Sequence, residues 1–121
     1  MHKKVLTVDD SRTMREMLRH CLAGAGFDVV TAEDGADGID KLKETRPDVV
    51  ITDINMPVMD GFEFIESVRQ SSEYNRIPIL VLTTESAPEK KQRAQDAGAT
   101  GWIVKPFDPE KLTRAVNRVM P

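Results

Sequence analysis

Three observations predict an α/β fold, a (βα)5 doubly wound, five-stranded parallel sheet. Strand-like and helix-like signals alternate from end to end of the 121 residues. Three strand cores, Val5-Leu6-Thr7-Val8, Val49-Val50-Ile51-Thr52 and Ile79-Leu80-Val81-Leu82, are near-continuous β-branched and leucine runs. Such runs are buried on both faces, as in a parallel sheet between two helical layers. The length suits one domain (1–121) with a real core and no second domain. Right-handed crossovers then complete the topology.

The elements follow in order. After the first run, Met14, Met17, Leu18, Cys21, Leu22 and Ala25 recur at three- and four-residue steps, one face of a helix that Gly26 stops. Phe27 to Ala32 read as a second strand, and Asp34 caps a short helix carrying Ala36, Ile39 and Leu42 that ends before Pro47. The strand leading to Asp53 follows, then a loop with Pro57 and Asp60-Gly61, and a helix built on Phe64, Ile65 and Val68. Pro78 opens the fourth strand. Ser86 and Glu89 are spaced as a capping box for a fourth helix that Gly98 ends. Its apolar residues, apart from Pro88, are only Ala87, Ala94 and Ala97, so it is expected to dock weakly. Trp102-Ile103-Val104 forms the last strand. Asp108-Pro109 signals the start of the last helix, with Leu112, Ala115, Val116 and Val119 inward.

Composition narrows the function. Hydrophobic (40%) and charged (31%) fractions are those of a folded domain, which removes disorder as an alternative. The net charge of −3, with acids and bases interspersed, offers no basic face for nucleic acid. The apolar stretch after Met1-His2-Lys3-Lys4 is cut off by Asp9, too soon for a signal peptide or membrane span. Cys21, the single cysteine, excludes an internal disulfide and reads as a small core residue. His2 and His20 have no metal-ligand partner at useful spacing and read as surface residues. A cytoplasmic location is expected.

The strand ends carry the chemistry. The first run ends in Asp9-Asp10, the third in Asp53, the fourth in Thr83-Thr84 and the fifth in Lys105-Pro106. In open parallel sheets ligands bind outside the carboxyl ends of the strands. Clustered carboxylates about 4 Å apart repel by about 4 kcal/mol per pair at an effective dielectric near 20, which a cation relieves. Hard oxygen donors without histidine or a second cysteine favour Mg2+ over zinc. Lys105 suits a phosphate oxygen as a point charge, and Thr83 adds a hydroxyl. Cation, amine and hydroxyl together neutralise a transferring phosphoryl group, leaving a carboxylate as nucleophile.

With these sites in order, Asp53-Ile54-Asn55-Met56-Pro57-Val58-Met59-Asp60-Gly61, Thr83-Thr84-Glu85 and Gly101-Trp102-Ile103-Val104-Lys105-Pro106-Phe107 included, the chain resembles the receiver domains of two-component response regulators along its whole length. The stretch Asp9 to Arg15 and the lack of an output domain resemble the stand-alone chemotaxis regulators among them. The resemblance implies a flavodoxin-like strand order 2-1-3-4-5, an order known for this family and not read from the spacing. It implies that Asp53 is the phosphoacceptor and that Asp10, Asp53 and the Asn55 carbonyl ligate Mg2+, Asp9 acting mainly through bound water. Thr83 and Lys105 would contact phosphoryl oxygens with help from the Thr84 N–H. Lys105-Pro106 would be a cis bond. A histidine kinase would be the phosphodonor, and small acyl phosphates are further candidates. The output would be a flagellar motor switch protein or another target, reached through the fourth helix, fifth strand and fifth helix of a monomer. A phosphate relay or sink and an enzyme-regulating receiver remain alternatives. The domain would be a switch that catalyses only its own phosphorylation and dephosphorylation.

Three positions stay open. Trp102 stands where the family has an aromatic residue that moves inward with the threonine; it is either a switch making a smaller excursion or a cover for the fourth helix. Asn55 and Glu85 either set the phosphoryl lifetime or are surface residues. Rivals from other classes fit less well. A haloacid-dehalogenase-type phosphatase wants an acid at position 55, where asparagine cannot recover a carboxyl proton. A flavin carrier wants an uncharged phosphate loop where Asp9-Asp10 stand, and no glycine-rich dinucleotide fingerprint follows the first strand.

Overall fold

The computed structural model describes residues 2–120; Met1 and Pro121 lie outside the described residues. The chain runs β1 (Lys4–Val8), α1 (Arg12–Gly24), β2 (Asp28–Ala32), α2 (Gly35–Thr45), β3 (Val49–Thr52), α3 (Gly61–Gln70), β4 (Ile79–Thr83), α4 (Pro88–Ala97), β5 (Gly101–Val104) and α5 (Pro109–Val119). The five strands are parallel, in the order β2-β1-β3-β4-β5. Alternation along the strands splits the core into two layers. Leu6, Val8, Val50 and Val81 pack with α2, α3 and α4 residues such as Leu42, Phe64, Ile65 and Ala94. Val5, Ile51, Leu80 and Leu82 pack with Leu18, Leu22, Leu112 and Val116 from α1 and α5. β1, β3 and β4 are wholly or almost wholly buried, whereas the edge strands β2 and β5 are half-buried, as position in the sheet requires.

Capping is local and mostly legible. Ser11, Asp34 and Asp108 each accept a hydrogen bond from the backbone three residues on. Asp60 and Glu63 form a reciprocal capping box at the start of α3. The box expected from Ser86 and Glu89 does not form: α4 starts at Pro88 with Ala87 as an N-cap that makes no side-chain hydrogen bond. Pro88 is the reason. Its fixed φ suits the first helical position and holds Ala87 extended, so Ser86 falls one residue too early to cap.

The α1 stripe is narrower than its spacing suggests. Leu18 and Leu22 are buried and Met14 and Cys21 half-buried, while Met17 is 49% exposed. At about 100° per residue Met17 points a quarter-turn away from Leu18, onto the flank. Cys21 is correspondingly a rim residue and not a core one. Ala25, the C-cap, is exposed. As its composition implies, α4 buries only Ala94.

Thr7, in the middle of β1, is fully buried, and its hydroxyl is the buried side-chain polar atom left without a hydrogen-bond partner among the described residues. Thr7→Val keeps the shape and removes an unpaired group, so it is expected to stabilise the fold by about 1–2 kcal/mol. Urea unfolding would register this as a higher midpoint at unchanged slope.

Candidate functional site

Sheet register assembles the site. Val8 lies opposite Thr52, and the Asp53 N–H donates to the Val8 carbonyl at 2.9 Å, so Asp9 and Asp53 leave adjacent strands side by side. Thr83 lies opposite Val104, and the Lys105 N–H donates to the Thr83 carbonyl at 2.8 Å. All four therefore emerge at the carboxyl ends of β1, β3, β4 and β5, on one edge of the sheet.

The side chains converge. The Lys105 Nζ donates to Asp9 Oδ2 and to Asp53 Oδ2, each at 2.8 Å, and bridges two buried carboxylates. The other oxygen of each acid is held by backbone: Asp9 Oδ1 accepts from the Ser11 N–H at 2.9 Å, and Asp53 Oδ1 from the Ile54 N–H at 2.6 Å. Exposed Asp10 completes a group whose carboxylate oxygens lie within 4.8 Å of one another. Three carboxylates thus face one ammonium.

Burial pushes the Asp9 carboxyl above its ordinary 3.8, although the Lys105 ammonium and the Ser11 N–H pull the other way. For Lys105, burial works to lower the ammonium, but its hydrogen bonds to Asp53 and Asp9 outweigh this and hold it above 10.5. The lysine stays charged, and the site retains excess negative charge. The donors are hard oxygens, without nitrogen or sulfur ligands. This set fits Mg2+, which is bound through one or two carboxylates with water completing the shell.

The remaining candidates sit as follows. Thr83 is fully buried; its Oγ1 accepts from the Glu85 N–H at 3.2 Å. Thr84 and Asn55 are exposed, and Glu85 is half-buried with its carboxylate 3.3 Å from Lys90 Nζ. The Lys105–Pro106 bond is cis. Trp102 is half-buried on the α4 side of β5, lining a cleft of about 230 Å³ with Lys91, Ala94, Gln95, Ala99, Thr100 and Gly101.

Sequence reasoning missed two supports. Lys105 holds Asp9 as closely as Asp53, which depends on β1 and β5 flanking the β3–β4 pair across the sheet. The loop after Asp53 is tied at both ends: the Gly61 N–H donates to the Ile54 carbonyl at 2.8 Å, and the Met59 carbonyl accepts from the Gly35 N–H of α2 at 3.0 Å. Between the ties Val58 holds a φ of 69°, strained for a β-branched residue, with Met59 N–H bonded to the Pro57 carbonyl at 2.7 Å. The Asp60-x-x-Glu63 spacing was the one signal that would have located the loop's end.

The response regulator receiver domain model matches residues 5–117. The chain belongs to the response regulator receiver family. It is 40% identical over 119 residues to the Helicobacter pylori chemotaxis protein CheY1, covering 97% of this chain and 96% of that protein. It is 35% identical over 116 residues to the sensor histidine kinase CheAY of the same organism, covering 94% of this chain but only 14% of the kinase. The solved structure of Vibrio cholerae chemotaxis protein CheY4 superimposes with a TM-score of 0.94 at 52% identity, over 99% of this receiver and 100% of that chain. The receiver is of CheY type; response regulators of this type are signalling switches, and receiver domains of this family bind Mg2+ through an acidic pocket. Among the described residues no helix is long and apolar enough to cross a membrane.

Proposed function

We propose that this receiver is a cytoplasmic chemotaxis regulator that takes a phosphoryl group onto Asp53 from a histidine kinase and signals to a flagellar motor switch protein. The observation that carries the reading is the buried Asp53 carboxylate bridged by Lys105 to Asp9, with Asp10 beside them. Asp10, Asp53 and the Asn55 carbonyl would hold Mg2+, with Asp9 acting through water. When bound, the cation supplies positive charge for the phosphoryl oxygens. An Asp53 oxygen attacks phosphorus, the phosphorus–nitrogen bond of the donor's phosphohistidine breaks, and the imidazole leaves. Lys105, freed from one carboxylate, pairs with a phosphoryl oxygen, and the Thr83 hydroxyl and Thr84 N–H donate to others. Later, water attacks phosphorus and the carboxylate of Asp53 departs, with Asn55 and Glu85 at the rim setting how readily water enters. Trp102 responds to Thr83 by a small excursion or stays as the cover of α4.

Mg2+ binding is expected to raise the melting temperature. At ten times its Kd the ion adds about 1.4 kcal/mol, a shift of a few degrees. The pH dependence has a sign. Because the folded-state value of Asp9 is raised, the metal-free domain has its contribution in full below 3.8 and loses it as pH rises through the raised value. The Mg2+ gain is therefore greatest above that window. Thermal melts at millimolar Mg2+ that show no gain at neutral pH would mean that the acids do not bind the ion.

The output face is supported by 44%-exposed Val104 and by a cleft of about 390 Å³ between β5 and α5 that includes Trp102, Phe107 and Lys111. A second reading, phosphoryl relay or sink, is favoured by the likeness to a segment of a sensor histidine kinase. Pull-down on receiver treated with beryllofluoride, a phosphoryl mimic, separates the two. Mimic-dependent recovery of the motor switch protein supports the first, and recovery of a phosphotransfer protein alone supports the second.

A further inference from the structure

α4 is fastened at one end. At its C-terminus Gly98 takes the left-handed conformation, its carbonyl accepts from Arg69 Nε at 2.9 Å, and Arg69 Nη1 also reaches the Ile77 carbonyl at 2.6 Å. Mid-helix, the Arg93 guanidinium sits 4.1 Å from the Phe62 ring centroid, and Ala94 is buried. The N-terminal end has none of this. Ala87 caps nothing, and no apolar side chain of the first turn is buried.

Lys90 stands in that first turn, where a cation opposes the helix macrodipole. Its ammonium lies 3.3 Å from the Glu85 carboxylate, whose side chain is 25% exposed. The N–H of Glu85 in turn donates to Thr83 Oγ1 at 3.2 Å. Among the described residues the Thr83 hydroxyl makes no hydrogen bond to Asp53 or Lys105; it is held from the α4 side.

We infer that Lys90 is a positioning residue: through Glu85 it pins the Thr83–Thr84–Glu85 turn in the conformation that keeps the Thr83 hydroxyl off the phosphoryl position. The inference rests on the phosphoryl-transfer reading above and deepens it. Drawing Thr83 towards a phosphoryl oxygen removes the acceptor of the Glu85 N–H, loosens the turn and strains the ion pair. The uncapped end of α4 is then released while the Arg69–Gly98 end stays as pivot. Because the pair favours the unphosphorylated state, breaking it shifts the balance towards the state that binds the phosphoryl group.

The test compares Lys90→Gln with Lys90→Arg, which restores the pair, and Lys91→Gln, which removes the same charge from the next, exposed position. In the mimic-free protein, hydrogen exchange at the Glu85 amide is expected to quicken by about two- to five-fold in Lys90→Gln alone, the scale of a partly exposed ion pair. High salt should bring the wild type towards Lys90→Gln. Beryllofluoride should bind Lys90→Gln and Glu85→Gln about two- to five-fold more tightly, and the double variant no more tightly than either, since both remove one contact. Unchanged Glu85 exchange in Lys90→Gln, equal effects from Lys91→Gln, or additive effects in the double variant would overturn the inference. If the wild type binds no beryllofluoride, the phosphoryl reading falls, and the exchange experiment still decides whether Lys90 positions the turn.

Discussion

Asp53→Asn is expected to cut phosphoryl incorporation by at least about a thousandfold, the scale on which loss of a nucleophile is read. Asparagine fills the same space and can still accept from the Ile54 N–H, so the fold has no reason to fail. Its amide removes one of the three carboxylates around Lys105, which relieves repulsion in the metal-free domain. The variant should therefore melt no lower than the wild type without Mg2+ and should lose most of the stabilisation that Mg2+ brings. Labelling from a phosphorylated kinase, run beside thermal melts, reads both effects. A slow residual incorporation would fall on Asp9 or Asp10, the carboxylates within reach. Full labelling would show that Asp53 is not the nucleophile.

Gly61→Ala is expected to destabilise the receiver by about 3 kcal/mol or more. A Cβ at this buried first residue of α3 would stand 2.7 Å from the Ile54 Cα and closer still to the Asp53 carbonyl oxygen. Both are backbone atoms and cannot swing away as a side-chain tip would. Relief requires moving the Asp53–Ile54 segment, and that movement takes the Asp53 carboxylate from Lys105. The loss of stability should consequently be accompanied by a weaker Mg2+ response. Gly24→Ala is the control: nothing lies within 4 Å of its Cβ, and alanine favours the helix by up to about 1 kcal/mol. Urea unfolding of the two variants should move in opposite directions. A Gly61→Ala midpoint equal to that of the wild type would show slack in the loop that the geometry does not contain.

Parallel-sheet architecture was legible because β1, β3 and β4 are buried on both faces and say so in unbroken apolar runs. The caps at Asp34 and Asp108 were legible because a short acceptor side chain and its helix are local in sequence. Where two local signals competed at the start of α4, the proline prevailed over the serine–glutamate spacing. Periodicity likewise overstated the buried face of α1, because Met17 has the hydrophobicity of a core residue but an angular position on the flank.

The sequence by itself determined the alternation of elements, the acids at the ends of β1 and β3, the hydroxyl after β4 and the lysine after β5. Those are properties of runs and of the residues that close them. Only the tertiary structure decided that Lys105 would bridge Asp9 to Asp53, that Gly61 would press on the backbone beside Asp53, and that Lys90 would reach Glu85 beneath an uncapped helix. Each of these depends on strand register or on the docking of one helix, distances between groups that no local pattern encodes.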